Sequence, residues 1–178
     1  MDDGGERRGA VFFDRDGVLN EDVGYLHRIA DFRWVPGARE ALRLVQEAGL
    51  LSIIVTNQSG VARGLYGEAE VAALHAWMRE DLARDGITIT ADYHCPYHRD
   101  AVDERWRHPD HPDRKPNPGM ILRAVADWAV DPARSLIVGD KARDIEAGER
   151  AGVAGLLFTG GNLAEALRPW LATAHARA

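Results

Sequence analysis

Ala10-Val11-Phe12-Phe13-Asp14-Arg15-Asp16-Gly17 decides the fold. Its four consecutive apolar residues predict a short strand buried on both faces, as in a parallel sheet flanked by helices. The polar residues that follow emerge at the carboxyl end of that strand, where open α/β sheets place their ligands. Asp14 and Asp16 are separated by one residue. Two carboxylates about 4 Å apart repel by roughly 4 kcal/mol at an effective dielectric near 20. A divalent cation relieves that repulsion; a turn or helix cap around Asp16-Gly17 is the plainer reading of the same stretch.

Working outward, Pro36-Gly37 opens a helix whose Ala41, Leu42, Leu44, Val45 and Ala48 follow the helical period, and Gly49 closes it. Leu51 to Val55 reads as a second buried strand running into Thr56-Asn57-Gln58-Ser59-Gly60. A long helix is predicted from Glu68 to about Arg84, then a third strand from Ile87 to Tyr93. His94 to Arg114 is a polar loop with one cysteine and four histidines. Pro118 begins a helix carrying Ile121, Ala124, Val125 and Trp128 on one face, and Ser135 to Val138 is a fourth strand ending in Gly139-Asp140. A helix to about Ala151, a last strand near Val153 to Phe158, and a docked tail helix marked by Leu163, Leu167 and Leu171 complete the chain. Alternation of this kind predicts an α/β fold, a parallel sheet with helices on both faces, in a single domain spanning residues 1–178.

Composition narrows the function classes. A net charge of −6 with no basic run argues against nucleic-acid binding. Residues 1–8 are polar with no apolar stretch behind them, and no apolar run is long enough to span a bilayer, so no membrane association is expected. The single cysteine, Cys95, excludes an intrachain disulfide and suits the reducing cytoplasm. Of 22 basic residues only Lys115 and Lys141 are lysines, and both fall in motif-like loops, where a compact ammonium suits a phosphate or carboxylate cluster.

Three strands end in polar clusters: Asp14 with Asp16, Thr56-Asn57, and Gly139-Asp140 with Asp144. In a parallel sheet these ends share one edge, so the clusters converge, joined by Lys115 at a loop-to-helix junction. In order and type they resemble the four motifs of the haloacid dehalogenase-like (HAD) phosphohydrolases: DxDG, a hydroxyl residue after the second strand, a lysine, and GDxxxD. The resemblance covers nearly the whole chain and implies a Rossmann-like HAD fold. It also implies Asp14 as nucleophile, forming an aspartyl phosphate, and Asp16 as the acid that protonates the leaving alcohol and then the base that activates water. Thr56 and Lys115 would hold the transferring phosphoryl group, with Mg²⁺ between Asp14, the Asp16 carbonyl and Asp140. Plainer readings stay open: a helix cap for Thr56, a surface carboxylate for Asp144, a salt bridge without chemistry for Arg15. Only 42 positions separate Asp14 from Thr56, too few for a helical cap domain, so the site should be covered by loops alone.

Further stretches narrow the resemblance. Asn20 to Tyr25, Thr56 to Gly64, Arg114 to Met120 and Gly139-Asp140-Lys141 resemble the HAD branch that holds the heptose-bisphosphate phosphatases and the histidinol-phosphate phosphatases. That branch implies a small phosphorylated sugar as substrate, in lipopolysaccharide or S-layer heptose supply, contacted by Asp22, Gly24, Tyr25, Asn57, Gln58, Ser59, Arg114 and Lys141. A bisphosphate has a second anionic end, which Arg114 and Lys141 suit; a surface salt bridge is the plain reading of Arg114. The chain departs from the branch in the His94–Arg114 loop, where relatives carry a structural zinc. Tyr97 stands in place of one family histidine, and His111-Pro112-Asp113 in place of a cysteine pair. Cys95, His98, His108 and His111 remain a candidate Cys-His₃ zinc set, but one retained ligand position favours a loop that has lost its metal. Histidinol phosphate, or small phosphorylated metabolites generally, are the alternative substrates. A phospholigand sensor without catalysis is the alternative from another class, opposed by the intact Asp16. A monomer or weak dimer is expected.

Overall fold

The computed structural model describes residues 7–175, so residues 1–6 of the polar amino terminus lie outside the described residues. Among the described residues, five strands form one parallel sheet: β1 (Ala10–Phe13), β2 (Leu51–Asn57), β3 (Ala91–Cys95), β4 (Leu136–Gly139) and β5 (Ala154–Leu157). Their spatial order is β3-β2-β1-β4-β5. The chain thus winds outward from β1 in one direction and returns to wind in the other, so the topological switch lies between β1 and β4. Ligands of open α/β sheets bind outside the carboxyl ends of the strands at such a switch. Asp14 and Asp140 are the residues that follow those two strands.

The helices are α1 (Ala38–Glu47), α2 (Ser59–Ala62), α3 (Glu68–Ala83), α4 (Gly119–Asp127), α5 (Ala142–Arg150) and α6 (Leu163–His175). They cover both faces of the sheet, and β1 shows why its apolar run is unbroken. Val11 and Phe13 pack into one core with Leu42, Leu74, Met78, Leu163 and Leu167. Ala10 and Phe12 pack into the other with Ile53, Val55, Met120, Ile121 and Ala147. Leu163, Leu167 and Leu171 are all buried, so the tail helix docks as their spacing predicts.

The third strand begins later than its alternation suggests, at Ala91 instead of Ile87. Ile87 and Ile89 are buried in the core without belonging to the ladder. Pairing starts only once the Thr90 amide reaches the Ser52 carbonyl (2.8 Å), and the strand then runs on through His94 to Cys95. Period-two burial marked the segment's approach to the sheet, not its place within it.

Candidate active site

Asp14 closes β1, and its amide donates to the Val138 carbonyl (3.0 Å), which ties it to the end of β4. Its carboxylate is nearly buried and accepts an ion pair from Lys115 Nζ at 3.0 Å. The same ammonium lies 2.7 Å from Asp144 Oδ1 and donates to the Val55 carbonyl at 2.8 Å. Lys115 is therefore held by β1, β2 and α5 at once. Burial raises Asp14 to about 6 despite the opposing pull of Lys115. Burial pulls Lys115 down, but the two carboxylates more than offset it and raise it overall.

Gly139 makes this packing possible. A Cβ there would meet the Asp144 Cβ at 2.1 Å, so only glycine lets α5 bring Asp144 against β4. Asp144 is fully buried, and its Oδ2 accepts the Lys141 amide at 3.0 Å. The reading of Asp144 as a surface carboxylate therefore fails. Gly17 plays the matching part on the β1 side: its φ is +84°, and a Cβ would lie 2.5 Å from Asp140 Oδ2.

Asp14, Asp140 and Asp144 bring their carboxylate oxygens within 4.8 Å of one another. Asp140 Oδ1 is buried with no hydrogen-bond partner, while Asp140 Oδ2 pairs with Lys141 Nζ at 2.8 Å. An orphaned, hard oxygen facing other carboxylates fits a Mg²⁺ ion. The side chain of Asp16, a residue expected to offer a metal its main-chain carbonyl, is not in this cluster. It is held instead by Arg15 Nη2 (3.0 Å), Asn20 Nδ2 (3.0 Å) and Gln58 Nε2 (2.9 Å), which leaves only its main-chain carbonyl for a metal role.

Gln58 is the hub on the β2 side. Its Nε2 also donates to Thr56 Oγ1 (2.9 Å), and its Oε1 accepts from the Tyr66 hydroxyl (2.6 Å). Thr56 is buried and makes no cap to α2, whose first turn has no side-chain cap. Asn57 fastens the Lys115 backbone from both sides, accepting its amide (3.0 Å) and donating to its carbonyl (3.1 Å).

These residues floor a cavity of about 380 Å³. Asp14, Asp16 and Asp140 line it together with every residue expected to touch substrate: Asp22, Gly24, Tyr25, Asn57, Gln58, Ser59, Arg114 and Lys141. Thr56 and Lys115 sit behind that lining, Lys115 with its ammonium on Asp14. Arg63, Tyr66 and Arg143 also line the cavity and were not singled out from the sequence; His98, a candidate only for zinc, lines it too. Arg63 was legible only as part of the Gly60–Gly64 stretch, and Arg143 only by standing two positions after Lys141. Arg63 lies over the Tyr25 ring at 6.0 Å, and Arg114 donates to the Tyr97 carbonyl at 3.1 Å. Burial, with Arg143, Arg63 and Arg99 nearby, pulls Arg114 below its ordinary range.

Cys95, His98, His108 and His111 do not form a metal-sized cluster. Nδ1 of His98, His108 and His111 each accepts an amide two residues on, from Asp100, Asp110 and Asp113 (3.1 Å each). The Tyr97 ring stacks on His111 at 3.8 Å and meets Trp106 edge-on at 5.5 Å. Burial pushes the Cys95 thiol up to about 11.

Comparison with known proteins agrees with this geometry. Residues 113–176 match the HAD-hydrolase-like family. The D-glycero-beta-D-manno-heptose-1,7-bisphosphate 7-phosphatase of Rhodopseudomonas palustris is 44% identical over 155 residues, 86% of this chain and 85% of that one. The D-glycero-alpha-D-manno-heptose-1,7-bisphosphate 7-phosphatase of Burkholderia mallei is 44% identical over 150 residues, 81% of this chain and 76% of that one. Among solved structures, the D,D-heptose 1,7-bisphosphate phosphatase of B. bronchiseptica, complexed with magnesium and phosphate, superposes with a TM-score of 0.73 at 34% identity, covering 90% of this chain and 86% of that one. A HAD-like chain from Mesorhizobium loti superposes with a TM-score of 0.87 at 38% identity, covering 96% of this chain and 87% of that one. With such identity over most of both lengths, the chain belongs to the HAD-like phosphatases, in the family of the heptose-1,7-bisphosphate 7-phosphatases.

Proposed function

We propose that this chain, acting as one domain, is a Mg²⁺-dependent phosphoric monoester hydrolase that removes the 7-phosphate of D-glycero-D-manno-heptose 1,7-bisphosphate. The observation that carries the reading is Asp14: a buried carboxylate at the cavity floor, 3.0 Å from a buried ammonium and beside the orphaned oxygen of Asp140. Asp14 attacks phosphorus and becomes an aspartyl phosphate as the bond to the sugar oxygen breaks. Asp16 gives its proton to that oxygen, then takes one from the water that releases inorganic phosphate. Lys115 and the Thr56 hydroxyl hold the equatorial oxygens. A Mg²⁺ ion bound by Asp14 and Asp140 would supply neutralisation of phosphoryl charge.

The cavity also favours a bisphosphate. Arg63, Arg114 and Arg143 line it without a carboxylate partner among the described residues, and Lys141 stands beside them. Guanidinium groups free of a carboxylate suit a second phosphate and repel the ammonium of histidinol phosphate. Asp22, Gly24, Tyr25, Asn57 and Ser59 are left for the sugar hydroxyls. Mg²⁺-dependent phosphate release from the heptose bisphosphate should exceed that from histidinol phosphate by a large factor in kcat/KM, and Arg114→Ala should shrink that factor. A wild-type preference for histidinol phosphate would overturn the substrate, and undiminished turnover in Asp14→Asn would overturn the covalent mechanism.

The same reading leaves the His94–Arg114 loop without zinc, its shape held by the Tyr97, Trp106, His108 and His111 rings. Elemental analysis of the purified protein should find no stoichiometric zinc. We place the enzyme in the cytoplasm as a monomer or weak dimer, in line with a lone buried cysteine; among the described residues, no helix is long and apolar enough to cross a membrane.

A further inference from the structure

Behind Asp16 lies a chain of polar contacts, running from Arg15 through His75 to Asp92, that the chemistry above does not use. Arg15 is wholly buried, and one side of its guanidinium is spent on the acid-base residue: Nε and Nη2 lie 3.2 and 3.0 Å from Asp16 Oδ1. Nη2 also donates to the Leu26 carbonyl at 2.8 Å and reaches Gln58 Oε1 at 3.3 Å. The other terminal nitrogen, Nη1, faces His75 Nε2 at 3.4 Å. His75 comes from the middle of α3 and is 2% exposed. Its Nδ1 is 2.8 Å from Asp92 Oδ2 on β3, and the other Asp92 oxygen pairs with Arg79.

The tautomer follows from the partners. An arginine only donates, so His75 Nε2 must carry a lone pair toward Nη1, and the single ring proton sits on Nδ1, donated to Asp92. The imidazole is neutral: burial, then the Arg15 charge, pulls it down to about 3. The other titratable or charged groups around the ring are His94, Arg79, Asp16 and Asp92. Asp92 thereby orients His75 as a carboxylate orients a ligating or catalytic histidine elsewhere.

We propose that His75, oriented by Asp92, is a positioning residue for the phosphatase reaction: it pins the Arg15 guanidinium and so holds the Asp16 carboxylate in the orientation from which it exchanges its proton. The proposal rests on the assignment of Asp14 and Asp16 above and adds a role no motif carries. Without an acceptor at Nε2, Arg15 Nη1 becomes a buried orphan donor. The guanidinium must then turn to satisfy it, and Asp16 turns with it.

A loss confined to proton transfer has a signature that lost packing lacks. A sugar alkoxide needs a proton to leave, whereas p-nitrophenolate leaves without one. In kcat/KM, which ends at phosphoryl transfer, His75→Leu should therefore lose about 10- to 100-fold on the heptose bisphosphate, a part of the roughly 100- to 10,000-fold that general acid catalysis supplies. Its loss on p-nitrophenyl phosphate should stay within about threefold, since that step calls on no general acid. KM for the sugar should change little. His75→Gln, whose Oε1 offers Nη1 an acceptor in place of Nε2, should recover most of the loss. An equal fall on both substrates, no fall in a folded His75→Leu, or a Gln variant no better than Leu would each overturn the proposal.

Should His75→Leu fail to fold, Asp92→Asn serves as the second variant. It frees the imidazole to take the other tautomer and set an N–H against Nη1, so the same substrate-selective loss is expected, and an unchanged sugar turnover overturns the proposal. A wild-type enzyme that hydrolyses the aryl ester but not the heptose bisphosphate overturns the substrate assignment instead. The same comparison is then made with glycerol 3-phosphate, whose alkoxide also needs a proton. Hydrolysis of none of these esters overturns both readings.

Discussion

Replacing Lys115 by methionine keeps the aliphatic stem and removes the one cation that Asp14 and Asp144 share. Both carboxylates are nearly or fully buried, and their oxygens lie within 4.8 Å of each other. At that separation, with an effective dielectric near 20, two unit charges repel by about 3.5 kcal/mol. Breaking a buried ion pair from one side costs about 3–5 kcal/mol by the same logic. For a chain of this size, that corresponds to a fall in Tm of roughly 6–20 °C. The deficit should depend on pH, because protonation removes the repulsion. Asp14 is already raised to about 6 in the presence of the ammonium. A carboxyl whose folded value lies above its unfolded one stabilises the fold below the unfolded value and loses that contribution as pH rises through the folded value. Loss of Lys115 raises the folded value further, so the variant should approach wild-type stability near pH 5 and fall behind it by pH 8. Urea unfolding followed by circular dichroism at both pH values, without divalent metal, measures this directly. A variant as stable as wild type at pH 8, or a deficit equal at both pH values, would refute the view that the ammonium neutralises this carboxylate cluster. Phosphate release by the same variant should fall about 100- to 1,000-fold, the usual cost of deleting one preorganised stabiliser of transition-state charge.

Chelation with EDTA should abolish phosphate release and the binding of inorganic phosphate together, with Mg²⁺ restoring both; isothermal titration calorimetry with phosphate reads the second. Because His75 is lowered from 6.5 to about 3 in the fold, its contribution is full above pH 6.5 and is lost as pH falls toward 3. Wild type should therefore gain on His75→Gln as pH rises through that window, by up to about 1.4 kcal/mol per unit, measured by denaturant unfolding. Gly139→Ala should destabilise the fold and lower kcat together, since its Cβ would meet the Asp144 Cβ at 2.1 Å and push α5 away from β4; a Tm within 1–2 °C of wild type, the shift expected from about 0.5 kcal/mol, would count against that packing argument.

Much of the fold was legible because burial on two faces leaves an uninterrupted apolar run, as in Ala10–Phe13 and Leu51–Val55, and each run stops where the chain reaches water and ligand. The converging ends Asp14, Thr56 and Asp140 needed only the rule that parallel strands share an edge. Segments that pack without pairing were harder. Ile87 and Ile89 have a strand's alternation, yet they bury under the sheet before its ladder begins. The candidate site was legible where its residues are consecutive and ambiguous where they meet through space. Asp144 read equally well as a surface carboxylate because nothing local says that a glycine on β4 leaves room for it. His75 gave no signal at all. It occupies a core-facing helical position, flanked by Leu74 and followed by Met78, where a leucine would be unremarkable, and its partner Arg15 lies 60 residues away.

Charge explains why so many of these residues must be buried together. Four carboxylates, those of Asp14, Asp16, Asp140 and Asp144, face three cations, Arg15, Lys115 and Lys141, through ion pairs of 2.7–3.0 Å. The set is one charge short of neutral, and at low dielectric a net negative floor repels a phosphate dianion. The arginines of the cavity lining draw an anion in but leave the floor itself negative. On the proposed mechanism, a divalent cation at Asp14 and Asp140 would turn the balance positive where phosphorus comes to rest, so metal loading and substrate binding would be one electrostatic event. The paired cations then have a separate task. Arg15 and Lys115 fix where the carboxylates point, which is why a neutral histidine behind Arg15, with no charge of its own to add, can still govern the reaction.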